Sequence, residues 1–214
     1  MPVSLMDWLR YFAVCMLAPA VISYFLGGLN GAILISKYCF KDDIRNHGSG
    51  NAGLTNFLRS FGKQYAAPVI ALDVLKMVAA VVVTCLFMGW TPEAKLWGGI
   101  CCVLGHTFPA LYKFKGGKGI LSSGTLLIML DWRVALVAWG TFLLLVVLTR
   151  YVSLGSVLCS VTAPISMLIF YPGHWFAFVL VFLIASLVIW CHRSNVVRLL
   201  KGTESKFTIK RKTE

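Results

Sequence analysis

The sequence is short of charge, and shortest of acid. Only 13% of its 214 residues are charged, and Asp and Glu number 8 against 20 Lys and Arg. A soluble domain carries roughly 25% charged residues, so a water-exposed globular fold is excluded. The seven cysteines (Cys15, Cys39, Cys85, Cys101, Cys102, Cys159 and Cys191) form no CxxC pair and lie in or beside apolar segments. They read as small core residues, which excludes a disulfide framework, and no metal site is expected. No histidine is followed at the fifth position by a carboxylate: those positions hold Asn51, Ala110, Phe178 and Val196. A compact His–carboxylate dyad of that kind is therefore absent. The glycine–lysine run at 116–119 lacks the spacing of a Walker loop. There is no internal repeat and no low-complexity linker. The first residues lack the charged region and cleavage site of a removed signal peptide, so the first span is expected to be retained.

What is present is apolar. Hydrophobic residues make up 58% of the chain, and mean hydropathy is +0.80. A spanning helix uses about 20 residues, so the chain is read as one polytopic domain over 1–214 with no room for a second. Apolar segments are expected at 11–35, 64–88, 94–111, 120–130, 134–148, 152–170 and 175–190. The fold class is all-α, a bundle of seven transmembrane helices. It reduces to five if the third and fourth segments form a hairpin that does not cross. Sixteen Lys and Arg fall in the turns at 37–63, 113–118 and 150 and in the tail, against three in the N-terminus and the other turns. The positive-inside rule makes the first set cytoplasmic, with the N-terminus outside and a basic cytoplasmic tail over 193–214. The net charge of +12 is a property of these loops rather than of a soluble face, so no nucleic-acid partner is expected.

Three polar constellations share the cytoplasmic side. The first, His47–Lys63, offers hydroxyls, amides, glycines and two cations without a single acid. Such a loop running into a helix suits an anion, against the plainer reading of a loop resting on lipid headgroups. The second is His106–Gly119, ending in Gly116-Gly117-Lys118-Gly119. Successive N–H groups there are expected to form a phosphate nest with Lys118 as a point charge. A flexible turn with snorkelling lysines is an equal alternative for that run alone. His106 by itself reads as a packed or headgroup-facing residue. The third is the tail, where His192 and Asn195 share a helix face and Glu204 is expected to partner a cation. Within the second span, Asp73 and Lys76 stand at i, i+3 and are expected to pair, because an unpaired charge there costs roughly 2.5–3.5 kcal/mol.

Taken together, GSGNAGLTNFLRSFGK (48–63), GHTFPALYKFKGGKG (105–119), RYVSLGS (150–156) and HRSNVVRLLKGTE (192–204) resemble the signature stretches of the bacterial acyl-phosphate:glycerol-3-phosphate acyltransferases, the PlsY type. The resemblance covers essentially the whole chain. It implies a seven-helix enzyme of the bacterial inner membrane, facing the cytoplasm. The enzyme would move a fatty acyl group from acyl phosphate to the 1-hydroxyl of sn-glycerol 3-phosphate, releasing lysophosphatidic acid and phosphate. No cofactor is implied, the partners are the two substrates and the bilayer, and the chain is expected to be monomeric.

By the same resemblance, Ser49, Asn51, Thr55, Asn56 and Arg59 line a phosphate site. Gly116, Gly117, Lys118 and Gly119 contribute to phosphate binding. His106 and Glu204 join the substrate-binding set. Ser49, Asn51, Arg59, Lys118, Ser153, His192 and Asn195 form the catalytic set. None is assigned as a general base, because the donor's phosphate is a good leaving group that can take the proton. The chain departs from the family at Ile120-Leu121-Ser122, where Val-Ala-Thr is usual, and at Gly27-Gly28-Leu29-Asn30. The competing function is a membrane transporter of an organic phosphate, disfavoured by the missing repeat. A passive headgroup-binding scaffold leaves the Ser/Asn/Thr island without a purpose.

Overall fold

The computed structural model describes residues 4–207. Within them the chain is all-helical. Ser4 caps α1 (Leu5–Tyr11), which runs through a π-turn at Phe12–Leu17 into α2 (Ala18–Gly28). These form one apolar rod over Leu5–Gly28. The apolar run 11–35 was expected to be a single span, but the rod breaks at Leu29. The cause is Asn30, whose side chain caps the Ile33 N–H and starts a new helix, α3 (Gly31–Phe40). An Asn that satisfies an orphan N–H favours a start over continuation.

The polar island contains a short amphipathic helix, α4 (Leu54–Phe61). Phe57 and Phe61 pack against Phe40, and Phe57 lies in a small core with Ile33, Ile44, Ala52 and Val69. The remaining helices are α5 (Ala66–Met88), α6 (Pro92–Thr107), α7 (Ile120–Leu130), α8 (Trp132–Thr149), α9 (Val152–Phe170), α10 (Trp175–Cys191) and α11 (Arg193–Leu200). The rod, α5, α8 and α9 are long and apolar enough to cross a membrane, and α10 with α11, bent by 57°, adds a fifth candidate. Large side chains such as Leu75, Leu86, Leu144, Val147 and Ile169 point outward, as expected of helices surrounded by lipid.

Small residues let α2 and α6 cross closely. A methyl group at Gly27 would collide with the Cys102 carbonyl, and one at Gly105 with the Tyr24 carbonyl. The α2–α6 pair therefore meets backbone to backbone, the usual device of helix association in lipid. That contact brings the C-terminal end of α6, with His106, against the break at Leu29–Asn30. The tail expected over 193–214 begins with α11, and its last residues, 208–214, lie outside the described residues.

Candidate active site

A cavity of about 520 Å³ opens where the three polar constellations meet. Ser49, Asn51, Thr55, Asn56 and Arg59 line it from the island, and His106 from α6. Lys118 and Gly119 line it from the glycine loop, Ser153 from α9, and His192, Asn195 and Glu204 from the C-terminal segment. Side chains 155 residues apart in sequence, Ser49 and Glu204, thus line one cavity.

The island is held by Asn56. Its Nδ2 donates to the carbonyls of His47 at 2.9 Å and Asn51 at 3.0 Å, and its Oδ1 accepts from the Ser49 N–H at 3.1 Å. The Asn56 amide is therefore occupied in shaping the loop. Gly48 adopts φ +55° directly against that amide, where a side chain would collide with Oδ1. The side chains of Ser49, Asn51 and Thr55 line the cavity and make no hydrogen bond among the described residues. Arg59 donates to the Ser205 carbonyl at 3.0 Å, drawing the tail over the rim.

The glycine loop differs from the expected nest. The Gly117 N–H donates to the His106 carbonyl and the Gly116 N–H to the Thr107 carbonyl, each at 3.1 Å. These two N–H groups are satisfied by backbone and do not converge on the cavity. The reason is packing: both glycines press against the end of α6, where any side chain would collide with His106 or its carbonyl. Only Lys118 and Gly119 of the run reach the cavity wall. The Ser122 hydroxyl is fully buried and without a partner among the described residues, and it does not line the cavity.

Glu204 organises the opposite wall. Its Oε1 accepts from Ser153 Oγ and from Asn195 Nδ2, and its Oε2 from Arg198 Nε, each at 2.7 Å. Burial pushes the Glu204 carboxyl up, but the hydrogen bonds from Asn195, Ser153 and Arg198 outweigh it, and the net value falls below the ordinary one. Asn195 Oδ1 accepts in turn from Lys118 Nζ. Burial, with Arg198 close by, pulls Lys118 down to about 8. His192 Nδ1 donates to the Val188 carbonyl at 2.8 Å, which leaves Nε2 as a bare acceptor. Burial pulls that ring down to about 4, against the opposing Val188 hydrogen bond. A neutral imidazole so far below its ordinary value is a hydrogen-bond acceptor rather than a strong base.

The charges balance in a telling way. Two carboxylates line the cavity, Asp73 and Glu204. Each has its own cation: Lys76 lies 2.7 Å from Asp73, and Arg198 2.7 Å from Glu204. Arg59 and Lys118 are left facing the cavity without a carboxylate partner among the described residues. Arg198 and Asp73 were read from sequence as a tail cation and a structural pair, and only tertiary contact reveals them as wall residues. Trp139, Phe142 and Ser156 also line the cavity. Ser156 closes the signature stretch 150–156, whereas Trp139 and Phe142 carried no sequence signal, because each sits in an apolar helix like its neighbours. Ile120, Trp139 and Phe142 border a second, apolar groove between α7, α8, α9 and α10.

A family model described as glycerol-3-phosphate acyltransferase matches residues 17–202. A glycerol-3-phosphate acyltransferase of Thermoanaerobacter pseudethanolicus is 46% identical over 187 residues, covering 87% of this chain and 93% of that protein. One from Halalkalibacterium halodurans is 42% identical over 201 residues, covering 89% and 95%. Among solved structures, PlsY (YgiH), an integral membrane glycerol 3-phosphate acyltransferase in its glycerol 3-phosphate form, superposes with a TM-score of 0.82 at 32% identity, covering 90% of this chain and 96% of that one. Its lysophosphatidic acid form gives 0.80 at 31% identity, covering 90% and 95%.

Proposed function

The chain belongs to the glycerol-3-phosphate acyltransferase family, PlsY type, and from that premise we propose how its cavity carries out the transfer. The donor is an acyl phosphate and the acceptor is the 1-hydroxyl of sn-glycerol 3-phosphate. One observation carries the reading: two cations without carboxylate partners, Arg59 and Lys118, face a polar cavity that adjoins an apolar groove. Two anionic headgroups and one acyl chain need that combination.

Ser49, Asn51, Thr55 and Arg59 hold one phosphate, and Lys118 the other. A charge-assisted contact is about twice as strong as a neutral one. The acyl chain lies in the groove beyond Trp139 and Phe142. His192 Nε2 accepts a hydrogen bond from the glycerol hydroxyl and orients its oxygen toward the acyl carbon. The new acyl C–O bond forms as the acyl–phosphate C–O bond breaks, and the departing phosphate takes the hydroxyl proton. Glu204 fixes Asn195 and Ser153, so that Lys118 meets a wall already in place. Preorganised donors and cations of this kind are the largest common source of catalysis without a strong base.

The chain acts as a monomer in the bacterial inner membrane. It crosses seven times through the rod, α5, α6, α7, α8, α9 and α10, with its N-terminus outside and the site facing the cytoplasm. The distribution of Lys and Arg supports this sidedness. The test is purified protein given acyl phosphate and glycerol 3-phosphate. Lysophosphatidate and phosphate should appear in equal amounts. Uptake of the phosphate ester into liposomes without product would overturn the reading in favour of a transporter.

A further inference from the structure

At the cavity floor lies a buried polar cluster that the proposed chemistry does not use: Asp73, Lys76, His106 and Asn30. All four are at most 4% exposed. Lys76 Nζ has three partners, Asp73 Oδ1 at 2.7 Å, His106 Nδ1 at 2.7 Å and the Leu29 carbonyl at 3.3 Å. An ammonium has three N–H bonds and no acceptor. Beside a carboxylate at that distance Lys76 is the donor in all three contacts, and His106 Nδ1 is the acceptor.

A second donor points the same way. Asn30 Oδ1 accepts from the Ile33 N–H at 3.0 Å, which fixes the orientation of its amide. Its Nδ2 then donates to the Ala52 carbonyl at 3.0 Å and approaches His106 Nδ1 at 3.5 Å. Asp73 Oδ1 lies 3.8 Å from the same Nδ1, too far for a hydrogen bond. An imidazole whose Nδ1 accepts must carry its proton on Nε2. That Nε2 sits against Gly117 and makes no hydrogen bond among the described residues, and the ring lines the cavity.

We infer that Lys76, paired with Asp73, is a positioning residue that locks His106 as the Nε2–H tautomer, so that the cavity floor presents a hydrogen-bond donor to an oxygen of a substrate. The site therefore contains two histidines of opposite polarity. His106 donates through Nε2, and His192 accepts through Nε2. A floor built to donate meets an oxygen lone pair, and an anionic phosphate oxygen most strongly. The placement also explains the glycine at 117, since a side chain there would cover the donor.

The inference rests on the acyl-transfer reading only for the identity of the ligand, and the tautomer can be measured without turnover. The protein, labelled with ¹⁵N-histidine in detergent, is studied as His47→Gln/His174→Gln, which removes the two outer rings. The spectrum should show one Nε2–H ring and one Nδ1–H ring. A further His192→Gln change isolates His106 and should leave the Nε2–H signal. An Nδ1–H signal from His106 overturns the inference whatever the activity. Glycerol 3-phosphate alone, or a non-hydrolysable acyl phosphonate alone, should then shift the His106 Nε2 resonance, and the ligand that shifts it identifies the oxygen. No shift at saturation with either overturns the role in binding.

Kinetics give an independent arm. Asp73→Asn/Lys76→Met removes the Lys76 donor, leaving Nδ1 only the long Asn30 contact, while keeping the cluster neutral. Asp73→Asn/Lys76→Gln keeps an N–H donor. The first should lose about tenfold in kcat/KM, the worth of one hydrogen bond to a charged group, and the second should recover most of it. Equal activity in the two variants overturns the inference. Loss of lysophosphatidate formation by the unmodified chain would instead sink the functional reading and leave the tautomer result standing.

Discussion

Ser153 Oγ donates to Glu204 Oε1 at 2.7 Å across fifty-one residues of chain. Through that bond the start of α9 and the C-terminal segment become one wall. The wall then reaches Lys118 through Asn195, so Glu204 positions the cation that we propose holds a phosphate. Glu204→Gln should keep the shape but lose the Arg198 ion pair and one acceptor. We expect kcat/KM to fall by about tenfold to a hundredfold, and more in Glu204→Ala, where Asn195 and Ser153 lose their common partner. Full activity of Glu204→Ala would remove the wall from the mechanism.

The same residue sets an acid limit on stability. The Glu204 carboxyl titrates below its unfolded value in the folded protein. Its contribution is therefore complete above the unfolded glutamate pKa and is lost as pH falls through the lower, folded one. Thermal unfolding in detergent should show Tm falling across that acidic window in the wild type. Glu204→Gln should fall less steeply there, since its amide does not titrate.

Lys118 gives an alkaline limit on activity. Its ammonium, pulled down to about 8, is charged below that pH and neutral above it. Free enzyme should lose affinity for phosphate as pH rises through about 8, and kcat/KM reports the free enzyme. Lys118→Arg should retain its charge and move the decline to higher pH. Lys118→Ala should cost about a hundredfold or more below that pH, with the gap to wild type narrowing above it and the fold intact by thermal unfolding. An unchanged alkaline limb in Lys118→Arg would assign it to another group.

Two glycines test packing rather than chemistry. Gly48→Ala places a methyl group on Asn56 Oδ1 at a left-handed residue. The strain is of order 1 kcal/mol, and the loop carrying Ser49 must shift. The KM for glycerol 3-phosphate should rise with little change in Tm. Gly105→Ala instead drives α6 off the Tyr24 carbonyl. Overpacking of this kind costs about 1–3 kcal/mol, so Tm should fall first and activity with it.

The sequence by itself located most of the long apolar helices and the polar stretches that line the cavity. The run 152–170 and the run 120–130 become α9 and α7 with the expected bounds. The reason is that hydropathy and the turn residues around each segment are local properties. The i, i+3 pairing of Asp73 with Lys76 was equally local. Tertiary structure decided the rest. Asn30 breaks the first apolar run because its side chain finds an N–H to cap and the Ala52 carbonyl beyond, and one polar residue barely changes a hydropathy pattern. Gly116 and Gly117 turn their N–H groups to the end of α6 because the fold places carbonyls there, which no spacing of glycines records. The donor face of His106 arises from Lys76 and Asn30, and those three residues come from three separate segments. A proton's place on an imidazole depends on what lies within about 3 Å of each nitrogen, and only the folded chain sets those neighbours.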